Sequence, residues 1–456
     1  MISPRALLSV FKRYASSYRV LVYFVVLRFR IMRCSYIILV LLHWLILAEC
    51  EGANPYLEAL RQRPWQSVHR YIEVRPGAFL FYWLYYADGT RTGADQKPLI
   101  IWIQGGPGNA ASGIGNFCEL GPLKMDWTPR NYTWVNGRNI LLIDHPVGTG
   151  FSYAVNKSLY VTSDREAAKD LLRFTKAFFK IHKEFRKTPA YIVGQSYGGK
   201  LTARLGYFLH TAIERKRMRM NLKGIGIGGG WIDTKESSVQ QPRFLYDMGI
   251  IDVKAYRTAL KIAKNISRLI GTKKYYLAGQ LDGLMFDTIV NDAYFGYDLI
   301  NFENVNQYGY EPLLKKLDTN MNEYVKPTLE VNQSINWVHL AYDVYFSLQN
   351  SFVEPGTKFL EIILNTTNLK VAVYNGNFDA VTPLCGAANW VHNLNWHGAQ
   401  QFFDAKRLPI RGERNGFYKA FGQLSFWTIF GSGHWVPEDN PSAMEEVLDF
   451  LTQDNS

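Results

Sequence analysis

Four cysteines are all that the 456 residues carry: Cys34, Cys50, Cys118 and Cys385. Cys34 and Cys50 lie in or beside an apolar leader, so a mature chain keeps Cys118 and Cys385, which excludes a disulfide scaffold and leaves their pairing open. An apolar run long enough to cross a bilayer is also missing. The stretch "YIILVLLHWLILA", Tyr36 to Ala48, has 13 residues, against the roughly 20 that a spanning helix needs. Preceded by Arg33 and followed by "ECEGAN", it reads as a secretory signal cut between about Ala48 and Asn54, with no permanent span afterwards. The layout is ordinary when counted from Met32, so translation is expected to start there, or residues 1–31 to be an extension. A signal-anchor helped by "VLVYFVVL" (Val20 to Leu27) is the competing reading. Acids are absent from residues 1–33, which hold seven Lys and Arg; the formal charge of +12 falls to +5 for the rest. That mild excess, and a basic run Glu214–Lys223 placed where a helix should end, give no case for nucleic-acid binding. The histidines show no H-E-x-x-H pattern, no Lys-Ser or Lys-Thr pair follows the glycine-rich stretches, and "GIGIGGGW" lacks the G-x-G-x-x-G order, so neither metal nor cofactor is expected.

What is present is a large core and a regular alternation. Apolar residues make up 47% of the chain, which excludes general disorder. "YIEVRPGAFLFYWLYYADG" reads as a hairpin around Pro76-Gly77. "PLIIWI", "NILLID", "AYIV" and "LKGIGIGG" are apolar without alternation, as strands covered on both faces of a mostly parallel sheet would be. A helix capped by Ser163 and Glu166, another from about Lys200 to Glu214, and a last one after Pro441 with Ser442 and Glu445 as its box flank them. The expected fold class is α/β. Residues 1–50 form the leader, 51–233 and 366–456 the core, and 234–365, where the alternation stops, a largely helical inserted cap. Five N-x-S/T sequons, at Asn131, Asn156, Asn265, Asn332 and Asn365, agree with passage through the secretory pathway.

The chemistry gathers around "YIVGQSYGGKL". Gly194-Gln195-Ser196-Tyr197-Gly198 fits G-x-S-x-G between a strand and a helix, where a sharp turn lifts a serine hydroxyl to the top of the sheet. A base and an orienting acid should follow in the order Ser, Asp, His. Asp379 ends the run "VAVYNGNFD", and His434 sits in the tight "GSGHWVP" loop after another strand; His182, His210, His392 and His397 fall in or near helices. Gly106, in "WIQGGPGNAASG", and Tyr197 are the candidate backbone donors to an oxyanion.

The ordered set "WIQGGPG", "FCELGPL", "IDHPVGTGFSY", "GQSYGG", "YNGNFD" and "GSGHWVP" resembles the serine carboxypeptidases over nearly everything after the leader. The resemblance implies an α/β-hydrolase fold and a secreted or lysosomal enzyme that removes the last residue of a peptide through an acyl-enzyme. Ser196 would be the nucleophile, His434 the base and acid, and Asp379 its orienter. It also implies a site for the substrate's terminal carboxylate at Gln104, Glu119 and Gln195. At the last of these the family has glutamate, and that departure keeps an esterase, an acyltransferase or a silent lumenal binding protein in view. Oligomeric state is not legible.

Overall fold

The computed structural model describes residues 54–62, 65–293, 301, 303–307, 311–412 and 414–453; the apolar leader, Met32, Cys34 and Cys50 lie outside them. The chain divides into Met1–Glu58 and Ala59–Ser456. Of the first unit only residues 54–58 are described, at the start of a helix, Pro55–Gln62.

The second unit is built on one sheet. The hairpin β1 (Ser67–Arg75) and β2 (Ala78–Tyr85) turns at Pro76-Gly77, as its sequence requires. Next come β3 (Leu99–Ile103), β4 (Asn139–Ile143), β5 (Tyr153–Ala154), β6 (Pro189–Gln195), β7 (Asn221–Gly228) and β8 (Lys370–Gly376). β9 (Leu408–Pro409), β10 (Gly416–Phe421) and β11 (Leu424–Ile429) complete it, in the spatial order β1-β2-β4-β3-β6-β7-β8-β11-β10-β9, with β5 on β2. From β4 to β11 every pairing is parallel; the antiparallel ones lie towards the edges. Every residue of β3 and β4 is buried, which is why their sequences do not alternate.

Helices cover the sheet. Asp164–Ile181 begins with Ser163, whose hydroxyl accepts from Glu166 N–H, while the Glu166 carboxylate accepts from Thr162 N–H. Tyr197–Glu214 starts three residues earlier than its sequence suggests, directly after Ser196. Pro441–Thr452 is capped by Asn440, whose side chain accepts from Ala443 N–H, so the expected Ser442–Glu445 box is a correction. Ser442 already lies inside the helix, and Glu445 pairs with Arg138 instead.

Residues 234–365 contain helices and, among the described residues, no strand. Val253–Gly271 is capped by Asp252 and presents Ala255, Ala259 and Ala263 on one stripe; these small side chains, with Ile266 and Ile270, pack with Leu245, Met285 and Ile289 in a cluster of their own. Cys118 and Cys385 are both free thiols.

Candidate active site

β6 runs out at Gln195, and Ser196 takes φ 57° and ψ −128°, a strained corner from which the helix Tyr197–Glu214 departs. The corner is pinned on both sides: Ser196 N–H donates to Gly228 O at 2.9 Å, and Trp231 N–H donates to Ser196 O at 3.0 Å. Glycine at 198 is required by contact, since a Cβ there would lie 2.1 Å from Ile103 O. The Ser196 hydroxyl is part-exposed and hydrogen-bonds to no protein group among the described residues.

Beyond the same turn lies the second part of the site. His434 Nδ1 is 2.8 Å from Asp379 Oδ2, and both side chains are buried. Thr382 holds the carboxylate twice, through its N–H to Oδ1 at 2.9 Å and its hydroxyl to Oδ2 at 2.8 Å. Gly229, next to the residue that accepts from Ser196, abuts this pair: a Cβ on it would lie 2.8 Å from His434 Nδ1 and 3.0 Å from Asp379 Oδ2. The serine corner and the imidazole thus share one glycine turn. Burial works against the imidazolium, but the Asp379 carboxylate, aided by Glu303 and Glu119, outweighs it and lifts the His434 pKa above its ordinary value.

The loop after β3 approaches the serine closely. A Cβ on Gly105 would lie 2.7 Å from Ser196 Cβ and 3.3 Å from its Oγ, and Gly106 N–H donates to no group among the described residues. Tyr197 N–H is the first amide of its helix and has no intrahelical acceptor. Both candidate oxyanion donors are thus amides without an acceptor among the described residues, one in the loop that approaches Ser196 and one directly after it.

Gln104 and Gln195 leave adjacent parallel strands side by side, one residue beyond the Ile103–Gly194 pair. Gln104 accepts from Trp102 Nε1 at 2.6 Å and donates to Glu119 Oε1 at 2.8 Å. Glu119 Oε2 and Gln195 Oε1 are buried without a partner among the described residues. Burial, opposed by the Gln104 bond, pushes the Glu119 carboxyl up to about 8, so it keeps its proton at neutral pH. Gln195 bonds to neither of the other two.

Residues 60–453 match the family model described as serine carboxypeptidase. The chain belongs to the serine carboxypeptidase family. It is 30% identical to the retinoid-inducible serine carboxypeptidase of Rattus norvegicus over 424 residues, 86% of this chain and 93% of that protein. Against the Homo sapiens protein of the same name the figures are 30% over 419 residues, 85% and 92%. Serine carboxypeptidase-like 51 of Arabidopsis thaliana is 30% identical over 423 residues, 84% of this chain and 91% of that one. Among solved structures, Kex1, a prohormone-processing carboxypeptidase of Saccharomyces cerevisiae, superimposes with a TM-score of 0.76 at 20% identity, covering 87% of this chain and 95% of that one. The fold of this serine carboxypeptidase is thus the α/β-hydrolase fold, and the chain is a hydrolase by family.

Several groups around the site are invisible to motif reading. Trp102 sits inside a strand run and looks like core, yet its indole orients Gln104. Thr382, three residues after Asp379, is the usual signature of a carboxylate that accepts from the backbone ahead of it, and that spacing could have flagged it. Glu303 arrives from the helical segment: its carbonyl accepts His434 N–H at 2.6 Å, and burial raises its own carboxyl to about 7. Asp439 joins the same two segments, accepting from Gly433 N–H at 2.8 Å, Asn304 Nδ2 at 2.8 Å and Gln307 Nε2 at 3.0 Å. Among the described residues no group of His, Cys, Asp and Glu is placed to hold a metal, and no helix is long and apolar enough to cross a membrane.

Proposed function

We propose that this serine carboxypeptidase removes the last residue of a peptide through an acyl-enzyme formed on Ser196. His434 Nε2 takes the hydroxyl proton as Ser196 Oγ attacks the last peptide carbonyl. Gly106 and Tyr197 N–H groups hold the oxyanion. The intermediate collapses as His434 returns the proton to the departing amine, and the terminal amino acid leaves. Water, deprotonated by the same imidazole, then attacks the ester and frees Ser196. Asp379 keeps Nδ1 protonated and stabilises the imidazolium. The observation that carries the reading is the shared turn: the serine corner bonds to Gly228 while Gly229 lies against the His434–Asp379 pair.

Specificity for a chain end comes from Gln104, Glu119 and Gln195. Protonated Glu119 can donate to a carboxylate, and the Gln195 amide donates at any pH, where a second carboxyl would have to stay protonated. The glutamine therefore relaxes the need for acid. The same glutamine is the observation that favours a second reading, an esterase or acyltransferase with the same acyl-enzyme. Residues 234–365 act as a cap over the cleft. The working compartment is secretory, extracellular or lysosomal, with glycans expected on the exposed Asn131, Asn156, Asn332 and Asn365 and on the part-exposed Asn265.

The test uses residues 51–456 expressed in a secretory host. Paired peptides, one with a free terminal carboxylate and one amidated, are followed for release of the last residue, with Ser196→Ala as control. Release from the free acid alone, absent in the control, is expected; no release despite labelling of Ser196 by a fluorophosphonate would assign the machinery to another acyl substrate.

A further inference from the structure

We propose that Tyr374 is a positioning residue for the terminal-carboxylate site: when substrate binds, its phenol, which has no partner among the described residues of this structure, donates to Gln195 Oε1 and so holds the Gln195 NH2 group towards the substrate. This rests on the carboxylate reading above and adds a residue to it. The argument begins with register. Gln195 on β6 pairs with Gly228 on β7, and Gly228 pairs with Tyr374 on β8, so the three stand in one row and share one face of the sheet. Gln104, one residue past the Ile103–Gly194 pair, extends the row on the other side of Gln195.

The middle position of the row has no side chain, and the tyrosine ring occupies the room. A Cβ on Gly228 would lie 2.3 Å from Tyr374 Cε2 and Cζ and 2.5 Å from its hydroxyl oxygen. The ring therefore lies across Gly228, the residue that separates it from Gln195. Glu119 accepts from Gln104 at one end of the row, and burial holds the Tyr374 hydroxyl un-ionised at the other.

Three buried polar atoms in this row and on Glu119 have no partner among the described residues: Tyr374 Oη, Gln195 Oε1 and Glu119 Oε2. A buried polar group left without a partner is costly, and the chemistry of these is complementary. Gln195 Oε1 can only accept, and a phenol is a donor that stays protonated throughout the working range. An amide whose oxygen is held inwards presents its two N–H bonds outwards, the orientation that a carboxylate needs. An amide free to flip would present the oxygen half the time and repel it.

The experiment is a double-mutant cycle on an N-blocked dipeptide with a free carboxylate, using Tyr374→Phe in the wild-type chain and in Gln195→Leu. Fluorophosphonate labelling of Ser196 checks that each variant keeps a reactive serine. Tyr374→Phe is expected to raise KM about fivefold to tenfold, with kcat changing less, the loss typical of one hydrogen bond. In the Gln195→Leu background the same change should cost under about twofold, because the partner is already gone. An unchanged KM, an equal rise in both backgrounds, or slowed serine labelling overturns the proposal. Were the wild-type enzyme to cleave the free acid and its amide equally, the carboxylate reading would fall and this proposal with it; discrimination kept intact in Tyr374→Phe removes this proposal alone.

Discussion

The sheet that carries Ser196 and the helical segment 234–365 are held by different means. In the sheet, strands are buried on both faces and each side chain is fixed by register, as Gln104, Gln195, Gly228 and Tyr374 are in a single row. The helical segment leaves Tyr246, Met248, Val253, Tyr276, Leu277, Leu284 and Phe286 exposed, and its buried cluster depends on a stripe of alanines. It meets the sheet domain through apolar side chains that join the main core, among them Val344, Leu348, Leu360 and Ile363, and through polar anchors. The most buried of these is Lys200, whose ammonium pairs with Asp164 at 2.8 Å and donates to the carbonyls of Ser351 at 3.0 Å and Phe352 at 2.6 Å. Continuous register makes one region intolerant throughout; the other is tolerant on its exposed faces and intolerant where it enters a core or an anchor.

That contrast orders the expected losses. Ser196→Ala should cost about 10⁶-fold in kcat, measured on a free-acid peptide. Asp379→Asn, which reverses the imidazole tautomer while leaving its Thr382 supports, should cost about 10⁴-fold. The anchor is next: Lys200→Met leaves Asp164 buried without its cation, and urea unfolding should show a loss of ~3–5 kcal/mol. A loss near zero would mean that the anchor is dispensable and the contrast wrong.

Smaller again is the effect of pH on recognition. Glu119 donates only while protonated, so KM for a free-acid peptide should rise as pH climbs through about 8, whereas the raised pKa of His434 makes kcat fall on the acid side, from above the ordinary histidine value downwards. In Gln195→Glu two carboxyls share the site and the first proton leaves earlier, so the rise in KM should begin at lower pH; superimposable profiles would refute a role for the glutamine. Least affected should be the exposed face of the helical segment: Leu284→Gln, at a position 51% exposed, should shift unfolding by under about 0.5 kcal/mol.

The same difference explains what could be read in advance. The apolar runs of β3, β4, β6 and β7 announced themselves because burial on both faces leaves their central positions apolar, with polar residues only towards the ends. The positions proposed for Ser196, Asp379 and His434 followed from strand ends, which is a local property. Tyr374 was hidden by its surroundings, being one aromatic in a run that already looked like core. Glu303 and Asp439 escaped for another reason: their partners are 131 and 135 residues away by sequence in the bonds to His434 and Asn304, and no local period encodes a bond between segments. The Asn440 cap was missed because Ser442 offered a rival cap two residues on, and only the helix start, at Pro441, decides between them.

The bracket made by Asp439 gives this molecule two separate lifetimes. Ser196 is stitched into the sheet through Gly228, but the loop that holds His434 is stitched to residues 303–307, through Glu303 O, Asn304 and Gln307. Partial opening of the helical segment would release the imidazole before the serine. Heat or mild denaturant would then silence the enzyme while its sheet still stood, and amide exchange at His434 would run ahead of exchange at Ser196. Inactivation and unfolding become distinct events, with the first reversible as long as the second has not begun.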